Sequence, residues 1–209
     1  MLKKFLSAAV VFAAATAFAA DANVIQLPKP AVTSNMTLKE ALQLRQTNRN
    51  FAARPFTARQ ISDLLWCANG INRANGKRTT PAARGIYAVS LYVLTEKGAF
   101  KHDLQNNVLH RVSAEDLRWT SDGRKMGSKA PLVVVMVANG TAFGKLNQAS
   151  ATYIGVEAGA IMQNIYLYCA AAKMNTVVCG SFNRKVLPKA LKLAKNEYIV
   201  LTQVVGFAE

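Results

Sequence analysis

One stretch restricts the folds open to this chain more than any other: SATYIGVEAGAIMQNIYLYCAAAK, residues 150–173. It contains no proline and carries apolar side chains around nearly its whole circumference, so it predicts a long helix that must be buried or held in an interface. Gly155 and Gly159 allow another helix to come close, in the small-xxx-small manner of packed helices. Between them stands Glu157, a rare acid among apolar neighbours, with Gln163 and Asn164 further along. Polar groups on such a helix need partners. They fit a subunit interface, a ligand edge, or ordinary core packing with one exposed acid.

The elements around this helix read as α and β in mixed order. Residues 21–36 carry two prolines and no periodicity, which predicts an extended arm. Thr37 with Glu40, and Thr57 with Gln60, have the spacing of capping boxes. The first opens a short helix with Leu38, Ala41, Leu42 and Leu44 on one side; the second opens a helix burying Ile61, Leu64, Leu65 and Ala68 and stopping at Gly70. Residues 73–85, RANGKRTTPAARG, form a basic loop. A strand follows in IYAVSLYVLT, then a hairpin across Asn106–Asn107 and a short helix starting in SAEDLR. Residues 121–130 are polar and glycine-containing, the character of a mobile loop. PLVVVMVA is apolar on both faces and reads as a central strand. After the long helix come a strand ending at Gly180, a basic helix RKVLPKALKLAK capped by Asn183, with Pro188 kinking it or sitting in its first turn, and a last strand YIVLTQVVGF. The expected architecture is α+β: a central antiparallel or mixed sheet flanked by helices.

The first residues predict export. Lys3 and Lys4, the apolar run Phe5–Phe12 and the small-x-small triplet Ala17-Phe18-Ala19 make up a secretory signal peptide over residues 1–19. No cysteine marks a lipidation site, and the apolar run is short for a membrane span of ~20 residues, so no stable membrane anchor is expected. Cleavage leaves 190 of the 209 residues: an arm at 20–36 and one domain at 37–209, with a periplasmic or secreted location. Loss of Lys3 and Lys4 lowers the formal charge from +15 to about +13, which favours anionic partners. The arginines and lysines are dispersed and no nucleic-acid-binding signature accompanies them, so nucleic acid is not the expected partner. Cys67, Cys169 and Cys179 lie in apolar surroundings. They read as small buried hydrophobes, although an oxidising compartment permits one disulfide. Two histidines, His102 and His110, both in the hairpin, give no basis for a metal site or a catalytic triad.

The candidate binding residues come from three places. RQTNRNF, residues 45–51, sets Arg45, Thr47 and Arg49 at a helix end. Guanidinium forks match phosphate oxygens, but the same stretch also reads as a solvated basic helix end. VVCGSF ends a strand at Gly180, where the missing side chain lets backbone groups face a planar ligand. No dinucleotide fingerprint or P-loop occurs.

Together these segments resemble the nitroreductase-like FMN flavoproteins, from about Thr37 to Phe207 and in the same order. RQTNRNF looks like their Arg-x-Ser/Thr-x-Arg-x-Phe motif. DLLWCANGINRANGKRTTPAARGIYAVSLYVL resembles the helix, Pro-Ser-Ala loop and strand of the azoline-oxidase-like branch. GVEAGAIMQNIYLYCAAAKMNTVVCGSF is similar to the long dimer helix and the strand beneath the flavin. The resemblance implies an α+β sandwich forming an intertwined homodimer with FMN at the subunit interface. By the same resemblance, Arg45, Thr47 and Arg49 hold the phosphate and ribityl end, Pro81, Ala82 and Ala83 line the isoalloxazine, and Cys179 and Gly180 present backbone to its N5/O4 edge. Hydride then passes through N5 to a small nitro, quinone or similar acceptor.

Three departures stand out. Ala82 replaces the usual serine. Arg84 occupies a position that is often glycine, where it reaches the cofactor or blocks it. The chain ends at VVGFAE without the family's basic tail, a role open to Arg184 or Lys185. The family's usual donor, NAD(P)H, is not expected outside the cytoplasm, so the donor stays open. Two other readings remain: a non-catalytic periplasmic ligand-binding or structural protein with the same fold, and an anion- or nucleic-acid-binding module resting on charge alone.

Overall fold

The structure, a computed structural model, describes residues 23–208; the signal peptide lies outside them. Its centre is the strand β5 (Leu132–Asn139), whose alternate side chains feed two separate cores. Leu132, Val134, Met136 and Ala138 point into one, Val133, Val135 and Val137 into the other. Burial on both faces explains why this run is apolar throughout rather than alternating.

Seven strands make one sheet in the order β1-β4-β3-β2-β5-β7-β6. They are β1 (Val24–Gln26), β2 (Val89–Thr95), β3 (Gly98–Asp103), β4 (Val108–Ser113), β5, β6 (Met174–Cys179) and β7 (Glu197–Phe207). Every pairing is antiparallel, which resolves the expected antiparallel or mixed sheet. The arm is not wholly free of regular structure: β1 pairs with β4, and Ser62 and Asp63 bond to Pro28 O and Ala31 N–H further along it.

Helices α1 (Leu38–Leu44) and α2 (Ala58–Asn69) start at Thr37 and Thr57, and both capping boxes are closed in both directions. Gly70 ends α2 as expected. Helix α3 (Gln148–Ala171) is the long apolar one; it packs on α1, α2, β2, β6 and β7. Helices α2 and α3 cover one face of the sheet. The other face is covered by Phe51, Leu117, Ala130, Phe182, Leu187 and Leu191. No helix among the described residues is long and apolar enough to cross a membrane.

Three local expectations are corrected. SAEDLR does not start an α-helix; a single 3-10 turn forms at Arg118–Thr120, while Arg118 closes a bidentate pair with Asp116 at 2.9 and 2.7 Å. Residues 121–130 are not a loose loop: the Asp122 carboxylate accepts the amides of Arg124, Met126 and Gly127 at 2.6, 3.0 and 2.6 Å. The basic helix after Asn183 shrinks to α4 (Leu187–Ala190), with Pro188 in its first turn, where a missing N–H costs nothing.

Glu157 is also not an exposed acid. It is 2 % exposed, and its carboxylate accepts the amides of Ala88 and Val89 at 2.8 and 3.3 Å, fixing the chain where the basic loop enters β2. Burial, the largest influence, raises its pKa above the ordinary 4.5, against those amides and the charge of Arg78. A raised carboxyl pKa stabilises the fold most below pH 4.5, and that contribution disappears as pH climbs through the folded-state value. Relative to Glu157→Gln, the native chain should therefore lose stability as pH rises above 4.5. Glu157→Ala, which leaves two buried amides without an acceptor, should cost about 2–3 kcal/mol in chemical denaturation at neutral pH.

Candidate functional site

Strand β6 lies at the edge of the sheet, so one row of its backbone groups has no strand beside it. RQTNRNF runs along that row. The Asn48 amide donates to Thr176 O at 3.1 Å, Asn175 Nδ2 donates to Asn50 O at 2.7 Å, and Ala52 bridges to Phe207. Phe51 is buried against Gly206, where a Cβ would stand 2.9 Å from the ring.

Tyr166 of α3 ties the motif to the strand. Its hydroxyl is 2.8 Å from Thr47 Oγ1 and accepts the Val178 amide at 3.2 Å, while the Arg45 guanidinium lies 5.2 Å from the ring centroid. Thr176 and Val178 thus turn backbone groups outward, the alternation of an antiparallel strand turns the Val178 carbonyl the same way, and the strand ends at Cys179 with Gly180 just beyond it. They open into a hollow of about 310 Å³ lined by Arg49, residues Asp122–Arg124, Met126 and residues 177–181. A Cβ at Gly180 would meet nothing within 4 Å, so this backbone is open to an approaching planar group.

The electrostatics are one-sided. Arg49 and Arg124 line the hollow, and Arg184 stands beside it, its Nη2 donating to Gly180 O at 3.2 Å and its guanidinium 4.5 Å from the Phe182 ring centroid. Among the described residues none of the three joins an ion pair, and the carboxylate of Asp122 is occupied by backbone amides. Burial, and after it the charge of Asp122, pushes the Cys179 thiol up to about 11, against the pull of Arg49 and Arg124. It stays protonated at neutral pH and offers backbone, not a nucleophile. All three cysteines are free thiols.

The sequence-predicted residues therefore fall into two groups. Arg49, Cys179 and Gly180 meet in the hollow, with Arg45 and Thr47 adjoining through Tyr166. Pro81, Ala82, Ala83 and Arg84 do not line it. Their loop is held elsewhere, by Thr80 to Asn69 at 2.6 Å, by Asn164 to Thr79 O at 3.5 Å and by Glu157. Arg84 has φ 58°, the left-handed region, which costs a side-chain-bearing residue ~1–2 kcal/mol and suits the glycine often found there. Sequence reasoning missed Tyr166 and Asp122. A tyrosine in an apolar helix announces a hydroxyl that needs a partner, but not which partner.

Comparison with known proteins gives the same outline. The model of the nitroreductase family matches residues 42–207. The chain belongs to the nitroreductase family. The crystal structure of a candidate nitroreductase from Ralstonia eutropha JMP134 superposes with a TM-score of 0.85 at 35% identity, over 92% of this chain and 93% of that one. The nitroreductase-like protein MJ1384 of Methanocaldococcus jannaschii is 26% identical over 89% of this chain and 97% of its own length. A chain of the Escherichia coli microcin synthetase complex McbBCD, at 15% identity and a TM-score of 0.67 over 99% of this chain and 85% of that one, shares the fold. Family membership supports flavin-dependent oxidoreduction and the nitroreductase fold.

Tyr166→Phe removes the hydroxyl that joins Thr47 to the Val178 amide. It should lower the unfolding free energy by about 1–2 kcal/mol, measured by thermal or urea denaturation. An unchanged midpoint would mean that the motif is held without it.

Proposed function

We propose that the mature protein, exported to the periplasm or beyond, is an FMN-dependent oxidoreductase acting on a small nitro, quinone or similar acceptor. The observation that carries this reading is the edge of β6: the outward backbone of Val178 and the open backbone at Gly180, beside an Arg49 outside any ion pair and a motif fixed by Tyr166. The donor set suits FMN, a planar ring with hydrogen-bonding edges joined to a phosphate. The flavin, when bound, supplies two-electron transfer from a donor to the acceptor.

In this reading Arg45 and Arg49 pair with the phosphate and ribityl end, and Thr47 adds a hydroxyl. The backbone at Cys179 and Gly180 holds the polar edge of the ring. At about 310 Å³ the hollow is at the lower end of the ~300–1,000 Å³ typical of ligand sites, so one chain supplies part of a cradle. A second copy completes it, bringing its Pro81–Arg84 loop to the open side. An apolar surface fit for that contact is present: Leu38, Leu42 and Leu44 on α1, Val156 and Tyr153 on α3, all exposed, with open space at Gly155 and Gly159.

The purified mature protein should carry FMN, visible by its absorption, at close to one per chain, and light scattering should report a dimer. Arg45→Ala combined with Arg49→Ala should weaken FMN binding at least ~100-fold in a fluorescence titration, from two charge-assisted contacts of ~1.5–3 kcal/mol each. A colourless protein that FMN does not reconstitute would favour the non-catalytic reading, and a monomer retaining FMN would remove the shared cradle.

A further inference from the structure

We propose that Arg124 and Arg184 form an anion clamp on the acceptor side of the hollow, selecting aromatic acceptors that carry a carboxylate or similar negative group. The inference rests on the flavin reading above and adds a substrate class to it.

The two arginines come from elements other than those that would hold the cofactor. Thr47 and Tyr166 approach β6 from the face covered by α3. Arg124 and Arg184 come from segments that cover the opposite face, where Met126 and Phe182 pack in the second core. Arg124 lines the hollow and Arg184 stands beside it, so a cofactor held through Arg45, Thr47 and Arg49 leaves these two guanidiniums for a second group.

Arg124 projects from an ordered turn, and the Arg184 guanidinium is itself held. Arg124 sits on a turn built around Asp122, whose carboxylate accepts the Arg124, Met126 and Gly127 amides. That turn is fixed to β7 by Thr202 Oγ1 donating to Ser121 O, and to the segment after β6 by the Asn183 amide donating to Thr120 O at 2.8 Å. Arg184 is held by its bond to Gly180 O and by the Phe182 ring. Asp122 is the one carboxylate among the described residues lining the hollow, set against Arg49, Arg124 and the adjacent Arg184, so positive charge is in excess there. Two guanidiniums outside any ion pair beside a strand edge suit a carboxylate, to which a guanidinium can give charge-assisted hydrogen bonds. An uncharged acceptor of the same shape has nothing to give them.

The phosphate of the cofactor is the competing source of negative charge, and the experiment separates the two. Flavin content is read first from the visible spectrum. Binding of 4-nitrobenzoate and of uncharged 4-nitrobenzyl alcohol is then measured by equilibrium dialysis on the protein as purified, at low ionic strength. The wild type should prefer the benzoate by at least ~10-fold, the value of one charge-assisted contact. Arg124→Gln and Arg184→Gln should each erode that preference while retaining flavin, and Arg184→Lys should keep part of it. No preference in the wild type, or a preference that survives both glutamine variants, overturns the clamp. So does loss of flavin in step with the preference, which would assign these arginines to the cofactor. A colourless protein would count against the flavin reading alone, since the dialysis still decides whether the hollow selects anions.

Discussion

The uncovered edge of β6 is the constraint on which the rest of the site depends. An edge strand exposes amides and carbonyls that must find partners. Here the first of them are taken by the Asn48 amide and the Tyr166 hydroxyl, and the strand then ends at Cys179 with open space beside Gly180. The site is the place where the sheet stops satisfying itself. Gly180 leaves that place open, and Arg49, Arg124 and Arg184 give it an excess of positive charge.

The same edge explains why RQTNRNF has its sequence. Arg45 ends α1 and turns out of the helix with ψ 114°, so the stretch is extended and lies along the strand, not a continued helix turn. Thr47 reaches Tyr166, Arg49 reaches the hollow, and Phe51 anchors the far end beside Gly206. Each odd-numbered residue has its own task because an extended chain alternates its side chains. The even-numbered Asn48 and Asn50 supply backbone bonds to the strand instead.

Much of the fold was legible because it obeys short-range rules. The two capping boxes, the hairpin, the two-faced β5 and the apolar α3 follow from residues within one element. What failed depended on contacts distant in sequence. Position 157, left open in the sequence between an interface, a ligand edge and an exposed acid, is buried because Ala88 and Val89, nearly seventy residues earlier, have amides that need it. The loose loop at 121–130 is ordered by one carboxylate, and the basic helix after Asn183 is cut short around Pro188. The site shows the same division. Arg49, Cys179 and Gly180 were readable as candidates, but Tyr166, which connects them, has no local signature. The Pro81–Arg84 loop lies outside the hollow because its flanks are held elsewhere, by Asn69, Asn164 and Glu157.

The central claim is that the open backbone at Gly180 receives the flavin in the proposed reading, whereas the neighbouring Val178 amide is already committed to Tyr166. Backbone hydrogen exchange read by NMR, with and without FMN, tests both at once. The account predicts that FMN strongly slows exchange at Gly180 and leaves Val178 nearly unchanged. Equal exchange at Gly180 in the two states would contradict it.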